Sequence, residues 1–356
     1  MAKVPHMQTT YIAAPEDRIL VTGSNGFVGA KVVETLLEYG FANLCCFIRP
    51  SSRLDRLKQA LERFPDGERV RLVSGDLLSR EDCLKAAEGV SVIYHLAAGF
   101  DKSFAGAFMN SALATRNLMD AFLQQPQPKR FVNVSSFAVY SNLNLKRGAL
   151  LDENCPLEEA PQKRYDAYGF GKLKQEELVR LYGERHQLPY VILRPGVVFG
   201  PDKRDLNGRV GNNAFGLFVQ VGSSNVLPMT YIDNCAEAIV LGGLQPGVDG
   251  EIFNVVDDEL LTRGQFLEEY KFCVGRFRSV CVPYAVAYGL SLLWEKYSNF
   301  SKGQLPPAFN RRRCAAEWKG NRYSNQKLRE GLGWRPRVSL DRALASFLAQ
   351  FESKEI

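Results

Sequence analysis

The chain has 356 residues and is 46% hydrophobic, which suits a globular protein with one large α/β unit and a smaller one. Its 45 Lys and Arg against 39 Asp and Glu leave a charge of +6 that is gathered into no long basic arm, which argues against a nucleic-acid partner. Eight cysteines without a Cys-x-x-Cys pair, and His6, His95 and His186 as the only histidines, argue against a metal site; with no signal-peptide core, a cytoplasmic protein with reduced thiols is expected.

Residues 1–17 are polar, with Pro5 and Pro15, and read as a loose leader. Ile19, Leu20 and Val21 predict a buried strand over 18–22. Gly23, Gly26 and Gly29 follow at even spacing, and Val28, Val32, Val33, Leu36 and Leu37 then recur with helical period up to Gly40. An ordinary tight turn would explain the glycines alone. Between a strand and a helix N-terminus they make a dinucleotide cradle: Gly23 permits the turn, Gly26 lets a pyrophosphate near the backbone, and Gly29 lets helix and strand pack closely.

A second strand, Asn43 to Arg49, stops at Pro50. An acidic residue about 20 positions beyond the glycines holds the ribose 2′-hydroxyl in NAD-preferring folds. Here Arg49, Ser51 and Ser52 occupy that place, with no acid before Asp55. A guanidinium and two hydroxyls suit a 2′-phosphate, so NADP is favoured and NAD is the alternative. A helix over about 53–64 leads to a strand at 69–74 and Gly75-Asp76-Leu77; a helix at 81–88 leads to a strand from Ser91 to Leu96. Ala97 and Ala98 are small enough to let a cofactor pass, and His95 reads as structural. Asn110 lies in a helical run through Ala121, where its amide needs a partner.

A strand at 130–135 ends in Ser135-Ser136, and a polar loop spans 141–165. Tyr168 and Lys172, four apart at a helix entry, share a face. After a strand at 190–194, residues 202–230 read as a glycine- and asparagine-rich loop, Asp233 as a helix N-cap, and Glu251 to Val256 as a strand rejoining the sheet. A helix over 264–275 follows. The run Val280 to Trp294, about 15 residues, is too short to span a bilayer and reads as a buried or substrate-lining helix, with membrane-surface contact as the lesser reading. Arg311-Arg-Arg313 could face a phosphate, with a solvated turn as the favoured reading.

Taken in order, Thr22-Gly-x-x-Gly-x-x-Gly29, Ser135-Ser136 before Val139-Tyr140, Tyr168-x-x-x-Lys172, Arg194-Pro-Gly-Val-Val-Phe-Gly-Pro201, Tyr231-Ile-Asp-Asn-Cys-Ala-Glu-Ala238 and Leu332-Gly-Trp-Arg-Pro336 cover nearly the whole chain. The sequence resembles the extended branch of the short-chain dehydrogenase/reductase superfamily, which includes nucleotide-sugar epimerases and dehydratases, 3β-hydroxysteroid dehydrogenases and dihydroflavonol reductases. The resemblance implies a doubly wound, mostly parallel α/β sheet of the Rossmann type with a small C-terminal substrate domain. The first domain would be 18–200, completed by about 233–256; the second would be 201–232 and 257–356.

The resemblance also implies the site. Catalysis would fall to Ser136, Tyr168 and Lys172. A phenol with a pKa of about 10 is a poor base, and a lysine ammonium one turn away would stabilise its phenolate. The cofactor would be held by Thr22, Gly23, Asn25, Gly26, Phe27, Val28 and Gly29 at the pyrophosphate, and by Arg49, Ser51 and Ser52 at the ribose. Asp76 and Leu77 would lie beside adenine, with Leu96, Ala97 and Ala98 along the cofactor. Asn110, Ser135, Pro195, Val197 and Val198 would surround the nicotinamide, where Tyr168 and Lys172 also reach.

The implied reaction is hydride transfer at a secondary alcohol or ketone. A sugar nucleotide is the first expectation. Val197, where nucleotide-sugar enzymes often place Asn, and the apolar 280–294 run fit the alternative, a hydroxysteroid or dihydroflavonol. Ser136-Phe137-Ala138 lacks the Asp-Glu of the dehydratases, which disfavours dehydration. A cofactor-binding scaffold without turnover is the alternative of another class. The helices at 104–124 and 166–187 carry apolar stripes (Phe108, Leu113, Leu118, Phe122; Leu173, Leu178, Leu181) that imply a homodimer.

Overall fold

The computed structural model describes residues 11–99, 101–203, 208, 210–214, 216–301 and 304–352. Seven strands form one parallel sheet: β1 (Arg18–Thr22), β2 (Leu44–Ile48), β3 (Arg71–Ser74), β4 (Val90–His95), β5 (Arg130–Val134), β6 (Tyr190–Pro195) and β7 (Ile252–Val255), in the spatial order β7-β6-β5-β4-β1-β2-β3. Ile19, Leu20 and Val21 are fully buried, as a strand with helices on both faces requires. On one face the helices Phe27–Glu38 and Ile232–Leu244 close a core through Val33, Leu36 and Ile239. On the other, Arg80–Ala87, Ala114–Phe122 and Ala167–His186 close a core through Leu118, Phe122 and Val179.

The chain winds outward from β1 to β3 and then returns to β4, so the strand order reverses between β1 and β4. A crevice at the carboxyl ends of those two strands is the natural seat for a ligand. Thr22 and His95 sit side by side there in parallel register.

Later residues build a further core over the strand ends, around Phe199, Phe218, Met229, Phe266 and Phe347. Residues 202–230, expected as loop, contain strands Asn212–Ala214 and Leu217–Val221, paired antiparallel; residues 204–207, 209 and 215 lie outside the described residues. The run at 280–294 divides into a strand, Ser279–Val282, and a helix, Tyr284–Phe300, which buries only Ala287, Ser291 and Ser298 and leaves most of its large apolar side chains exposed. Arg311–Trp318 is a helix rather than a turn, because all three arginines find carboxylates: Glu295, Glu158 and Glu317.

The leader is anchored from residue 11 onward, Ala13 lying in the core and the Ile12 amide donating to the Leu244 carbonyl; residues 1–10 lie outside the described residues. Asp233 is not an N-cap. Tyr231 holds that position, and Asp233 in the first turn pairs with Lys31 instead. No helix among the described residues is long and apolar enough to cross a membrane.

Candidate functional site

The glycine turn shows why only glycine fits. Gly23 has φ +69°, and a Cβ there would lie 2.9 Å from the Ala97 amide nitrogen. A Cβ on Gly29 would lie 2.0 Å from the Gly23 carbonyl oxygen, so the helix starts hard against the turn. The turn, closed by the Gly26 amide donating to the Gly23 carbonyl at 3.0 Å, thus runs straight into the N-terminus of a helix, which is where a pyrophosphate binds favourably.

This turn opens on a cavity of about 730 Å³, the size of a cofactor or ligand site. Its lining joins Gly23, Gly26, Phe27, Val28 and Gly29 to Leu96 and Ala98 from the β4 exit. Ser135 and Ser136 reach it from the end of β5, and Tyr168 and Lys172 from the Ala167–His186 helix. Pro195, Val197 and Val198 complete that wall.

Other expected residues stand back from this lining. Thr22 is buried, its hydroxyl 2.8 Å from His95 Nδ1 and accepting from the Ala97 amide at 3.3 Å. Asn25 donates to the Arg53 carbonyl at 3.2 Å, tying the glycine turn to the loop that carries Arg49, Ser51 and Ser52. In that loop the Arg49 amide donates to the Ser52 hydroxyl, and the Arg49 side chain is exposed. Asp76 is exposed and accepts from the Leu78 amide, while Leu77 is buried and its carbonyl accepts from Asn117. Asn110 occupies a π-helical segment, Phe108–Leu113, and donates to Asp101 at 2.9 Å.

The Ser136 hydroxyl accepts from the Ala138 amide at 3.2 Å and caps the turn Phe137–Val139. Lys172 is buried and donates to the Val134 carbonyl at 2.7 Å. Burial pulls its ammonium down to about 7, opposed by the Glu176 carboxylate one turn on. His95 is buried between Thr22 and Thr115 and, through burial first and the Lys172 charge second, falls to about 3. It is a neutral hydrogen-bonding group.

Several residues of this region were not expected from the sequence. Asp166 caps the Tyr168 helix, accepting from the Gly169 amide at 2.9 Å; an Asp just before a helix entry is a readable cap signal. Arg164, also buried, donates to Asp166 and to the carbonyls of Ala138 and Tyr140. It therefore locks the turn after Ser136 to the start of the Tyr168 helix. A Cβ on Gly169 would strike Arg164 at 2.1 Å, and one on Gly171 would come within 2.9 Å of the Ser111 hydroxyl. Those glycines make room for neighbouring protein groups.

Behind Lys172, Arg194 grips buried Glu176 at 2.9 and 2.7 Å. Burial alone would raise the Glu176 carboxyl, but hydrogen bonds and charge from Arg194 hold it below its ordinary range. Across the cavity stand Lys203, Arg313 and Glu317, whose distance in sequence hid their convergence.

The chain matches the NAD dependent epimerase/dehydratase family over residues 19–255. It is similar to a 3-beta-hydroxysteroid dehydrogenase of Mycolicibacterium neoaurum, 27% identical over 94% of this chain and 91% of that one. It is 30% identical to an uncharacterized UDP-glucose epimerase of Bacillus subtilis strain 168, over 67% of this chain and 76% of the relative. Its fold is similar to that of the Bacillus cereus UDP-glucuronic acid 4-epimerase solved with UDP-glucuronic acid and NAD (TM-score 0.69, 20% identity, 94% and 99% of the two chains).

Proposed function

Since the chain belongs to the NAD dependent epimerase/dehydratase family, we propose that it transfers hydride at a secondary alcohol or ketone of a sugar nucleotide, with Ser136, Tyr168 and Lys172 as its catalytic residues. One observation carries the assignment of the site: the two serines ending β5 and the Tyr168–Lys172 helix face share a cavity with the glycine cradle. When bound, the nicotinamide dinucleotide supplies or accepts the hydride.

Tyr168 exchanges a proton with the reacting oxygen, and Ser136 donates a hydrogen bond that fixes that oxygen. Lys172, in its ammonium form, favours the Tyr168 phenolate and holds the nicotinamide ribose. Arg164 and Asp166 keep the serine turn and the tyrosine helix in register. The residues after 200, with Lys203, Arg313 and Glu317 on the facing wall, form the substrate side. Arg313 is paired with Glu317 and Lys203 donates to the Val198 carbonyl, so this wall carries one net positive charge, which suits an anionic substrate such as a sugar nucleotide. The end-to-end match to a relative named as a 3-beta-hydroxysteroid dehydrogenase favours a second reading, a hydroxysteroid. We assign NADP as the preferred cofactor, on the exposed guanidinium of Arg49 where an acid would serve NAD, and a homodimer as the assembly.

The test is turnover of a panel of sugar nucleotides and 3β-hydroxysteroids with either cofactor, followed by nicotinamide absorbance together with separation of epimeric products. Tyr168→Phe should lower turnover by roughly 10²–10⁴ while leaving cofactor binding intact. Full activity in that variant would defeat the catalytic assignment, and steroid turnover without sugar-nucleotide turnover would replace the substrate.

A further inference from the structure

The Tyr284–Phe300 helix is built inside out. Its buried positions carry Ala287, Ser291 and Ser298, small or hydroxylated side chains. Its large apolar side chains face away from the protein: Val286, Leu290, Leu293, Tyr297 and Phe300 are exposed, from 50% for Val286 to 82% for Phe300. Their positions recur at alternating steps of four and three, so they form one stripe about 21 Å long. Trp294 flanks it, one turn beyond Leu290. A contiguous apolar surface of this kind marks a contact site, because a free surface gains nothing by exposing it.

The charges around the stripe select what covers it. Glu295 is the helix's one acid, and it is committed to Arg311 of the next helix at 2.9 Å. Lys296 is exposed, as are Arg276 and Arg278 just before the strand that feeds the helix; none of the three makes an ion pair among the described residues. Ahead of them Phe272 is 87% exposed, on a helix that also exposes Glu268 and Glu269 one turn earlier, so the cations of this face lie on the side of Arg276, Arg278 and Lys296. An apolar stripe with aromatic residues and unpaired cations matches an anionic bilayer surface. A second copy would set the same cations against one another, with no free carboxylate on the helix to answer them.

We propose that this face seats the protein on an anionic lipid bilayer, with the helix lying in the interfacial plane, Leu290, Leu293 and Phe300 in the acyl boundary and Arg276, Arg278 and Lys296 among the headgroups. No residue of the helix lines the cavity, so the site stays open to water-borne ligands while the protein is docked.

Sedimentation with vesicles tests this. The protein should sediment with vesicles of equal parts phosphatidylglycerol and phosphatidylcholine, less with phosphatidylcholine alone, and less at high salt. Replacing Leu290, Leu293 and Phe300 together by Ser should lower the partition coefficient by about 100-fold or more. Trp318 and Trp334 are buried, so a blue shift of tryptophan emission on vesicle addition would report Trp294. Absence of binding to either vesicle at low salt overturns the proposal. A change of mass on triple substitution, without vesicle binding by either protein, also overturns it and makes a second copy the occupant. If the triple variant fails to fold by circular dichroism, brominated lipids decide with the unmutated protein: quenching of Trp294 supports docking and its absence refutes it.

Discussion

Of the two cations assigned to the cofactor, Arg49 is exposed to water and Lys172 is buried. Arg49 is exposed on a turn that Asn25 ties to the glycine cradle, so its guanidinium can move to meet a 2′-phosphate at little desolvation cost. Arg49→Asp should reverse the order of NADP(H) and NAD(H) affinities, with NADP(H) binding weakened about 10- to 100-fold in fluorescence titrations. Equal affinities in the unmutated protein would remove the basis for the assignment. Lys172 is the buried case. A lysine in the unfolded chain titrates near 10.4, whereas burial holds Lys172 at about 7 in the cofactor-free fold. Between those values the unfolded chain retains a proton that the folded chain has released. Stability of the cofactor-free protein therefore rises with pH across this window, and the full penalty lies below it. Lys172→Met should be the more stable protein at about pH 6 in urea unfolding, with an advantage that shrinks as pH climbs from about 7 towards 10. A difference independent of pH would mean that Lys172 is not desolvated.

At the scale of elements, the first strand, glycine turn and helix were readable because each signal is local: apolar run, fixed glycine spacing, then helical period. The Tyr168 helix was readable for the same reason, although its Asp166 cap, an equally local signal, was missed. What holds it in place was not readable, because Arg164, just ahead of the helix, bonds to the distant Ala138 carbonyl, and Arg194 grips Glu176 from β6. The Tyr284–Phe300 helix was misread for a related reason: its apolar content suggested burial, but periodicity cannot say which face the protein takes. The expected dimer stripes divide in the same way. Leu118, Phe122 and Leu173 are core, while Phe108 is exposed and, with Leu113, Leu178 and Leu181, lines a groove of about 290 Å³. The π-helical segment from Phe108 shifts the register of side chains there and turns this end of the stripe outward. We expect the unmutated protein to have a dimer mass by light scattering at micromolar concentration. Leu178→Glu should give a folded monomer, since it buries a charge only if the groove is covered. A monomeric unmutated protein would refute the dimer.

Across the whole molecule, the chain's end closes the core that its beginning opens. Leu332-Gly-Trp-Arg-Pro336 was recognisable as a motif, but its physical task appears only in three dimensions. Trp334 is fully buried in the core that also holds Val33 and Leu36, and its indole donates to the Asn234 carbonyl at 3.0 Å. Asn234 in turn donates to the Val338 carbonyl and to Asp257, and Asp257 accepts from the Tyr231 amide. These bonds join the closing segment, the Ile232–Leu244 helix and the exit of β7 behind the cavity wall. Trp334→Ala leaves a void and removes the indole's bond to the Asn234 carbonyl, and should cost roughly 3–5 kcal/mol in denaturant unfolding. Because the damage lies behind the wall rather than in it, the folded fraction should keep Tyr168-dependent turnover, with saturating cofactor recovering about 2.7 kcal/mol at 100 times its Kd. A loss of turnover per folded molecule as large as that of Tyr168→Phe would instead mean that Trp334 shapes the site directly.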